Sequence, residues 1–317
     1  MTALDIVIMA AGKGTRMKSA RPKVLHRLAG RSLLQHVLTT AAALAESPRI
    51  IVITGHGAEQ VEAAVRAPGL RFVRQQPQLG TGHAVQQAVP ELHDAGITLI
   101  LNGDVPLIEV DTIRGLIAAC AGERLALLTV DLADPTGYGR IVRRGDGIVG
   151  IVEEKDATPE QRRLREIYTG VMAAPTAPLK RWLAALRNDN KQGEYYLTDI
   201  VAMAVADGIG VTSAKAASEI EVLGVNSPLQ LAELERRLQR RRADVLMEAG
   251  VRLADPARID IRGELVCGSD VDIDVGCIFE GQVELGDGVQ VGAYSLIADA
   301  RIAPGSVVEP YTRRRGA

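Results

Sequence analysis

The sequence predicts an α/β protein in which a doubly wound, mostly parallel, Rossmann-like sheet is followed by a long linker helix and a short left-handed parallel β-helix. Apolar runs alternate with helical patterns from Leu4 to Val130, which is typical of βαβ units. An amphipathic helical pattern begins at Ser227, and apolar residues recur at every sixth position beyond Gly250. We therefore expect three parts, at residues 1–226, 227–249 and 250–317.

The composition excludes several classes of protein. The net charge is −2 and aromatic residues make up only 3% of the chain, so we expect no nucleic-acid surface and no base-stacking platform. No apolar run is long enough to cross a bilayer, and the N-terminus lacks a secretory signal pattern. The three cysteines are widely spaced among apolar neighbours, which favours core residues in a reducing compartment. We expect a cytoplasmic protein that binds neither nucleic acid nor membrane.

The first element is a strand that leads into a loop suited to an anion. Leu4–Met9 is a continuous apolar run, as in a strand buried on both faces. The small residues that follow, up to Gly12, let the backbone pass close to a ligand. Arg16 can pair with phosphate oxygens through its planar fork, and Lys23 can add a point charge. The loop therefore suits a triphosphate.

Two common glycine motifs do not fit this loop. The dinucleotide-binding fingerprint has a third glycine where this chain has Met17, and no acidic residue ends a second strand near Thr54. The Walker loop requires four residues between its first glycine and a Gly-Lys-Ser/Thr sequence, and this spacing is missing. The glycines, Arg16 and the pair Pro22-Lys23 fit instead the signature of sugar-nucleotide pyrophosphorylases, G-x-G-T-R-M followed by a spacer and P-K.

The next elements continue the alternation of strands and helices. Apolar strand patterns at 50–53, 70–73, 97–101 and 125–130 are separated by helical patterns. In such a sheet the ligand lies beyond the carboxyl ends of the strands. Gly12, Gln75 and Asp104 each follow a strand, so we expect them to meet in one crevice. From Asp134 onward, shorter antiparallel strands are expected around a turn at 144–147, and a further helix over 196–205.

The long helix begins with Ser227 as its N-cap, and its predicted apolar stripe includes Leu234, Leu238 and Val245. Its arginines are interleaved with acidic residues, which favours a solvated face over a nucleic-acid surface.

The C-terminal part has a six-residue period in two registers. One register runs from Ile261 to Ile297 and the other from Leu265 to Val289. This period is typical of a left-handed parallel β-helix, in which equivalent positions stack into a core column. We expect Cys267 and Cys277 to lie in these columns.

These parts, in this order, resemble the bacterial GlmU family of bifunctional N-acetylglucosamine-1-phosphate uridylyltransferases/glucosamine-1-phosphate acetyltransferases. The similarity runs from Leu4 to about Tyr311. It rests on the segments AAGKGTRM (10–17), PKVLH (22–26), QLGTGHA (78–84), GDVPLI (103–108), DPTGYGRI (134–141), IVEEKDAT (151–158), QGEYYLTDI (192–200), EVLGVNS (221–227) and DPARIDIRG (255–263). The resemblance implies a pyrophosphorylase (uridylyltransferase) domain over 1–226 and a homotrimer formed through the β-helix.

The resemblance also implies a reaction and its residues. UTP and N-acetylglucosamine 1-phosphate would give UDP-N-acetylglucosamine and pyrophosphate, with Mg²⁺ as the cofactor. Arg16 and Lys23 would be catalytic, and Asp104 and Asn226 would bind the metal. The positions implied for nucleotide and sugar binding are Met9, Ala10, Ala11, Gly12, Lys23, Gln75, Gly80, Thr81, Asn102, Gly103, Asp104, Gly139, Glu153, Tyr168 and Asn226. His56 and His83 are interpreted as structural, because transfer to an ionised phosphate needs no base.

Two departures from the family pattern bear on function. The family has Asn in a stretch E-x-N-T-G that faces the sugar, and this chain has Tyr168 there, which changes the hydrogen-bonding groups offered to the sugar. The family's acetyltransferase residues lie further along the β-helix and beyond it, so we expect no acetyltransferase activity from this sequence. Two alternatives remain: a pyrophosphorylase for another sugar 1-phosphate, for which Tyr168 is the reason, and a non-catalytic oligomeric scaffold. The intact charges of Arg16, Lys23 and Asp104 argue against the scaffold.

Overall fold

The computed structural model describes residues 3–316, and the chain divides into two compact units. The first unit comprises the chain up to His26 together with Leu33–Asn226, and the second comprises Arg27–Ser32 and the chain from Ser227 onward.

The elements up to Asn226 alternate as the sequence predicts. In chain order the strands are β1 (Leu4–Ala10), β2 (Arg27–Leu28), β3 (Arg31–Ser32), β4 (Arg49–Thr54), β5 (Leu70–Arg74), β6 (Ile97–Asn102), β7 (Leu125–Asp131), β8 (Gly139–Arg144), β9 (Gly147–Val152), β10 (Glu166–Pro175) and β11 (Val211–Lys215). The helices are α1 (Leu33–Ala42), α2 (Ala58–Ala64), α3 (Thr81–Ala88), α4 (Val110–Cys120), α5 (Pro159–Arg162), α6 (Thr176–Ala185), α7 (Ile200–Ala206) and α8 (Glu219–Val222).

The first unit is built on one mostly parallel sheet, with the strand order β11-β7-β10-β6-β1-β4-β5. Strand β1 pairs in parallel with β4 and β6, and β11 pairs in parallel with β7. Strand β10 is antiparallel to β6, β7 and β8, and β8 forms a hairpin with β9. The predicted mostly parallel sheet is thus confirmed, and β10 is its reversed member, for which the sequence analysis proposed no strand.

Helices cover both faces of this sheet, so its central strands are buried on both sides. Along β1, Ile6 and Ile8 belong to one apolar cluster while Val7 belongs to the cluster on the opposite face. All three side chains are fully buried. This is why the strand is a continuous apolar run rather than an alternating one.

The helix predicted over 196–205 is shorter than expected. A 3₁₀ turn occupies Leu197–Asp199, and α7 begins only at Ile200. The backbone N–H of Leu197 donates to Thr81 Oγ1 at 3.0 Å. Because this group is committed to a distant side chain, the segment before Ile200 serves to brace another loop.

The second unit contains α9 (Pro228–Glu248), β12 (Arg252–Leu253) and the remaining strands. Ser227 caps α9, and its Oγ accepts the N–H of Gln230 at 3.2 Å. The buried residues are Leu234, Leu238, Gln239 and Ala243, so the prediction of Val245 in the apolar stripe is wrong: it is 59% exposed. The buried face turns along the helix, because Ala243 packs into the β-helix core.

The β-helix stacks its strands in two parallel sheets. One sheet has the order β12, β14 (Asp272–Ile273), β16 (Gln290–Val291) and β18 (Val307–Val308), and the other has β13 (Asp260–Cys267), β15 (Ile278–Leu285), β17 (Leu296–Ile302) and β19 (Arg313–Arg315). Parallel stacking with a buried apolar column is consistent with the predicted left-handed β-helix. Both Cys267 and Cys277 are free thiols that pack with the core, and burial raises the pKa of Cys267 to about 11.

The six-residue period ends at Ile297 for a structural reason. Glu280 pairs with Ala298, but Val283 pairs with Ala300, so the register between β15 and β17 shifts by one residue. The next buried position in that column is therefore Ile302, which pairs with Leu285.

Among residues 3–316, no helix is long and apolar enough to cross a membrane.

The stacked core makes a prediction about stability. Phe279 is 1% exposed at the centre of the β-helix, so Phe279→Ala should lower the free energy of unfolding by about 3–5 kcal/mol through lost burial and a residual cavity. Urea denaturation followed by circular dichroism measures this change. The control Val266→Ala alters a side chain that is 52% exposed and should change it by about 0.5 kcal/mol or less. Equal effects of both substitutions would contradict the proposed core.

Candidate active site

The loop after β1 owes its two glycines to different constraints. Gly14 has a φ of +59°, and a Cβ there would lie 2.7 Å from Lys23 Cβ, so only glycine lets Lys23 pass. Nothing lies within 4 Å of the corresponding position at Gly12, so its backbone stays open to a ligand. Pro22 is extended, and Lys23 starts a 3₁₀ turn directly after it. The sequence of the loop thus fixes where Lys23 leaves the backbone.

The Lys23 ammonium joins two side chains that lie far apart in the sequence. Its Nζ forms an ion pair with Asp104 Oδ2 and donates to Asn226 Oδ1 at 3.0 Å. Asp104 follows β6, and the N–H of Val225 donates to the Asp104 carbonyl at 3.0 Å, which holds the Asn226 segment in place. Two hard oxygen atoms therefore converge on one cation.

Gln75 lies at the end of β5, and its side-chain amide is held on one side only. Its Nε2 donates to the Gly80 carbonyl at 2.9 Å and lies 3.1 Å from His83 Nδ1. The residue is 3% exposed. Among the described residues 3–316, no N–H or O–H group donates a hydrogen bond to Gln75 Oε1.

The loop that carries Gly80 is braced by a segment that the sequence analysis did not assign. The N–H of Tyr195 donates to the Leu79 carbonyl at 2.8 Å, and the N–H of Gly82 donates to the Tyr195 carbonyl at 2.8 Å. A Cβ at Gly80 would lie 2.6 Å from the Tyr195 carbonyl oxygen, so glycine is required for this close approach. The segment QGEYYLTDI (192–200) therefore supports the loop through its backbone.

The half-buried Glu153 and the buried Tyr168 form a wall near the β8–β9 hairpin. Glu153 accepts a hydrogen bond from Thr198 Oγ1 at 2.9 Å. Burial raises the pKa of its carboxyl, and Asp199, Asp156 and Glu194 add to this increase by repulsion. Tyr168 lies opposite Gly139 in the register of β10 and β8.

The Tyr168 hydroxyl is buried within the protein. Its oxygen has no hydrogen-bond partner among the described residues 3–316. Burial, with the nearby Glu153 carboxylate, holds the pKa of Tyr168 well above its usual range, so the phenol stays protonated. The residue thus contributes its ring to the site rather than a satisfied polar group.

The backbone beside Tyr168 is shaped around Asn102. A β-bulge separates Tyr168 from Met172 in the pairing of β10 with β7. Within the bulge Gly170 has a φ of +86°, and a Cβ there would lie 1.9 Å from Asn102 Nδ2. Glycine at this position makes room for the Asn102 amide.

An ion pair between the buried Arg140 and the partly exposed Glu154 fixes the turn that leads into β8. Arg140 is 1% exposed, and its Nη2 donates to Glu154 Oε2 at 2.7 Å. The same carboxylate oxygen accepts the N–H of Gly137 at 3.3 Å, and Arg140 also donates to the Tyr138 carbonyl. The pair therefore holds residues 137–139 against the wall that contains Glu153.

Two adjoining cavities lie within the first unit. The loop cavity has a volume of about 490 Å³ and is lined by Met9–Thr15, Lys23, Val24, Gln75, Gln78, Gly80, Thr81, Ala84, Asn102, Asp104 and Glu194. The hairpin cavity has a volume of about 200 Å³ and is lined by Met9, Thr81, Asn102, Asp104, Val105, Gly137–Gly139, Glu153, Tyr168–Gly170, Leu197, Thr198, Val222, Gly224 and Asn226. Met9, Thr81, Asn102 and Asp104 line both, so the cavities meet at the end of β6.

Most of the predicted site residues line one of these cavities. The loop cavity includes Met9, Ala10, Ala11, Gly12, Lys23, Gln75, Gly80, Thr81, Asn102 and Asp104, and the hairpin cavity includes Gly139, Glu153, Tyr168 and Asn226. Arg16 and Gly103 line neither. Arg16 is exposed on the loop, and the Gly103 N–H donates to the Met9 carbonyl at 2.9 Å beneath the site.

Several residues that line the cavities were not among the site residues predicted from the sequence. Gln78, Tyr138, Glu194 and Thr198 all border the cavities. All four fall in segments that resemble the family, but their spacing gives them no role. Their position depends on hairpins and braces that form only in the folded chain.

The residues at the junction fit a magnesium ion. Asp104 and Asn226 already share one cation, and a carboxylate with an amide oxygen is a donor set that Mg²⁺ accepts. Residues 3–316 contain no group of three or more His, Cys, Asp or Glu side chains that could hold a metal. The protein would thus supply two ligands and leave the others to substrate phosphates and water, as Mg²⁺ prefers.

Comparisons with known proteins assign the chain to a family. The model of the MobA-like NTP transferase domain matches residues 6–143. The bifunctional protein GlmU of Methylibium petroleiphilum is 72% identical over 99% of this chain and 70% of that protein, and GlmU of Albidiferax ferrireducens is 61% identical over 99% and 69%. The chain belongs to the GlmU family. As a GlmU-family member it is a sugar-phosphate nucleotidyltransferase, an enzyme class that generally depends on a divalent metal.

Solved structures agree with this GlmU-family assignment at the level of the fold. A putative glucose-1-phosphate thymidylyltransferase from Bacillus anthracis aligns with a TM-score of 0.59 at 15% identity, over 74% of this chain and 94% of that chain. A nucleotidyl transferase from Methanothermobacter aligns with a TM-score of 0.53 at 23% identity, over 75% and 99%.

Burial of Glu153 gives a prediction about pH dependence. Because its pKa is raised above the usual 4.5, the folded protein holds this proton more tightly than the unfolded chain, and stability is lost as the pH rises through the folded pKa. Glu153→Gln removes the charge, so the variant should melt at a higher temperature than the parent at pH 7. The difference should vanish at acid pH, where Glu153 is protonated in both states. Melting curves between pH 4 and 8 measure it; a difference that grows toward acid pH would contradict the assignment.

The unpartnered phenol gives a second prediction. Tyr168→Phe should leave stability unchanged or raise the free energy of unfolding by about 1 kcal/mol, because it removes a buried hydroxyl that makes no hydrogen bond. The matched control is Tyr196→Phe: the Tyr196 hydroxyl accepts from Gln192 Nε2 at 2.7 Å and lies 3.3 Å from Asp156 Oδ2, so its removal should destabilise. Urea denaturation compares the two, and a larger loss for Tyr168→Phe would show that its hydroxyl is satisfied.

Proposed function

We propose that this enzyme transfers UMP from UTP to N-acetylglucosamine 1-phosphate and releases pyrophosphate, with Mg²⁺ as the cofactor. The observation that carries the proposal is the meeting of the two cavities at Asp104, beside Lys23. The loop cavity has the glycine loop and Gln75, which suit a nucleotide, and the hairpin cavity has Glu153, which suits sugar hydroxyls. The reacting phosphates would lie where the cavities join.

The reaction requires positioning and neutralisation of charge more than proton transfer. An oxygen of the sugar phosphate attacks the α-phosphorus in line, the bond from the α-phosphorus to the bridging oxygen breaks, and pyrophosphate leaves. The attacking oxygen is already ionised, so no general base is needed. Lys23 contacts Asp104 beside the junction, and Arg16, which is exposed on the same loop, would pair with triphosphate oxygens from the solvent side.

Asp104 and Asn226 would hold the metal, which supplies positive charge to the α-phosphate and to the leaving group. Lys23 contacts the same two oxygen atoms. On this proposal, Lys23 exchanges these oxygens for phosphate oxygens when the substrates bind.

A second candidate is the same reaction with another sugar 1-phosphate. The observation that favours it is Tyr168, because its ring lines the hairpin cavity while its hydroxyl has no hydrogen-bond partner within residues 3–316. Because Tyr168 replaces the family's Asn in the wall of this cavity, the enzyme need not prefer N-acetylglucosamine 1-phosphate. The division into residues 1–226, 227–249 and 250–317, and a homotrimer formed through the β-helix, remain predictions on the same family grounds.

The deciding experiment measures pyrophosphate release from UTP and Mg²⁺ with three acceptors: N-acetylglucosamine 1-phosphate, glucosamine 1-phosphate and glucose 1-phosphate. A clear preference for the acetylated sugar supports the proposal. A preference for another acceptor supports the second candidate, and release with none of them from a folded sample overturns both.

The junction gives a mutational prediction. Asp104→Ala should reduce turnover at saturating Mg²⁺ by roughly a hundredfold or more, because it removes the charged ligand at the reacting phosphates. Asp111→Ala is the control: this carboxylate is 91% exposed on α4 and pairs with Arg114 at 3.1 Å outside both cavities, so turnover should not change. Melting curves verify that both variants fold. Turnover of Asp104→Ala at the parent rate would contradict the metal assignment.

A further inference from the structure

His83 lies on α3 and contacts Gln75, which lines the loop cavity. Its Nδ1 is 3.1 Å from Gln75 Nε2, and its ring packs near the ring of Tyr195 with a centroid distance of 6.2 Å. The sequence analysis interpreted His83 as a structural residue. Its contact with a residue that lines the cavity gives it a more specific role.

The orientation of the Gln75 amide follows from its surroundings. The Gly80 carbonyl lies 2.9 Å from Gln75 Nε2, and a carbonyl can only accept. A flipped amide would place oxygen against oxygen at this distance. Because Gln75 is 3% exposed, water cannot relieve that repulsion. The Nε2 atom therefore faces Gly80 and His83.

This orientation also fixes the tautomer of His83. The second N–H of Gln75 Nε2 points toward His83 Nδ1, which must then accept, so the imidazole is neutral and carries its proton on Nε2. That proton faces Gln87 Nε2 at 3.3 Å, a contact between two donors. Gln87 Nε2 also donates to the His83 carbonyl at 3.0 Å, but Gln87 is partly exposed and can exchange this hydrogen bond for one to water, whereas Gln75 is buried. The conflict is therefore relieved at Gln87.

Two acceptors thus hold the Gln75 Nε2 atom, and Oε1 remains as the polar atom that a ligand can use. An acceptor presented to a nucleobase favours a ring N–H, as in uracil and thymine. It disfavours cytosine, whose corresponding ring nitrogen is itself an acceptor. A buried amide can impose this choice strongly, because a mismatched base leaves polar groups unpaired.

We propose that His83 is a positioning residue for base selection: together with the Gly80 carbonyl, its Nδ1 holds Gln75 so that Oε1 favours a base with a ring N–H over cytosine. The inference rests on the proposed function, since the loop cavity must hold the base of a nucleoside triphosphate. His83 itself touches neither base nor phosphate in this role.

The test compares UTP, CTP and dTTP as substrates with one sugar 1-phosphate. His83→Phe removes the acceptor and keeps an aromatic ring beside Tyr195. His83→Asn places an amide oxygen close to the position of Nδ1 and serves as the conservative rescue. Gln87→Ala removes the other neighbour of the imidazole and is the control.

In His83→Phe the preference in kcat/KM for UTP over CTP should fall by roughly tenfold, because a buried N–H of Gln75 loses its partner. The change should appear in KM for UTP, with kcat at saturating UTP close to the parent value. The preference for UTP over dTTP should stay constant, since both bases carry the ring N–H. His83→Asn and Gln87→Ala should keep the parent preference. An unchanged preference in His83→Phe, or equal losses with UTP and CTP, would overturn the proposal.

If His83→Phe does not fold, the proposal can be tested on the unmodified protein. Nitrogen-15 spectra of the imidazole rings identify the tautomer of each of the five histidines. The Nε2–H form of His83 is expected, and the Nδ1–H form would overturn the proposal.

Failure of the proposed function is seen separately, as the absence of pyrophosphate release from UTP by the parent enzyme. In that case titration calorimetry with UTP and CTP reports base preference directly. Equal affinities for the two would overturn the role of His83.

Discussion

The burial of β1 on both faces, with parallel neighbours on both sides, is the constraint on which the first unit depends. Parallel pairing with β4 and β6 brings the carboxyl ends of these strands to one edge of the sheet. The Gly103 N–H donates to the Met9 carbonyl at 2.9 Å, and the Gln75 N–H donates to the Thr54 carbonyl at 2.8 Å. A one-residue slip would turn the buried side chains to the opposite face, so the core that fixes the register also fixes the site.

The charged side chains at the centre of the site are paired with each other. Lys23 and Asp104 neutralise each other at the junction, and most of the loop cavity is lined by amides, small residues and backbone. A partly buried cation and a carboxylate without partners would each carry a desolvation cost. Under the proposed function, substrate phosphates and metal replace these partners one for one. The same charges therefore stay paired before and during the reaction.

The second unit follows a different rule, because each coil is stabilised mainly by its neighbours. Ile261, Phe279 and Ile297 stack in register, and their burial repeats with each coil. The Gln239 side chain caps the open edge of β13, the first strand of its sheet. It accepts a hydrogen bond from the Ile261 N–H at 2.8 Å and donates one to the Ile261 carbonyl at 2.9 Å. A buried amide on α9 thus occupies the place that a preceding strand would take.

Features that repeat along the chain, or that depend on neighbouring residues, could be predicted from the sequence. The alternation of elements, the continuous apolar β1, the six-residue period and the glycine loop are each properties of neighbouring residues, so they predict sheet, β-helix and anion loop without a structure. The resemblance to the GlmU family identified the segments that later proved to line the cavities. The antiparallel strand β10 was not predicted, because the direction of a strand in a sheet depends on its pairing with strands distant in the chain.

Features that depend on contacts between distant residues are seen only in the folded chain. The position of the Lys23 ammonium between Asp104 and Asn226 and the exposure of Val245 follow from packing between segments far apart. The same holds for the Tyr168 hydroxyl, which has no hydrogen-bond partner in the described part of the chain, residues 3–316. The orientation of Gln75 depends on a backbone carbonyl and on one histidine nitrogen, neither of which a residue pattern reveals. Which atom donates and which accepts depends on the positions of individual atoms, and only the folded chain defines those positions.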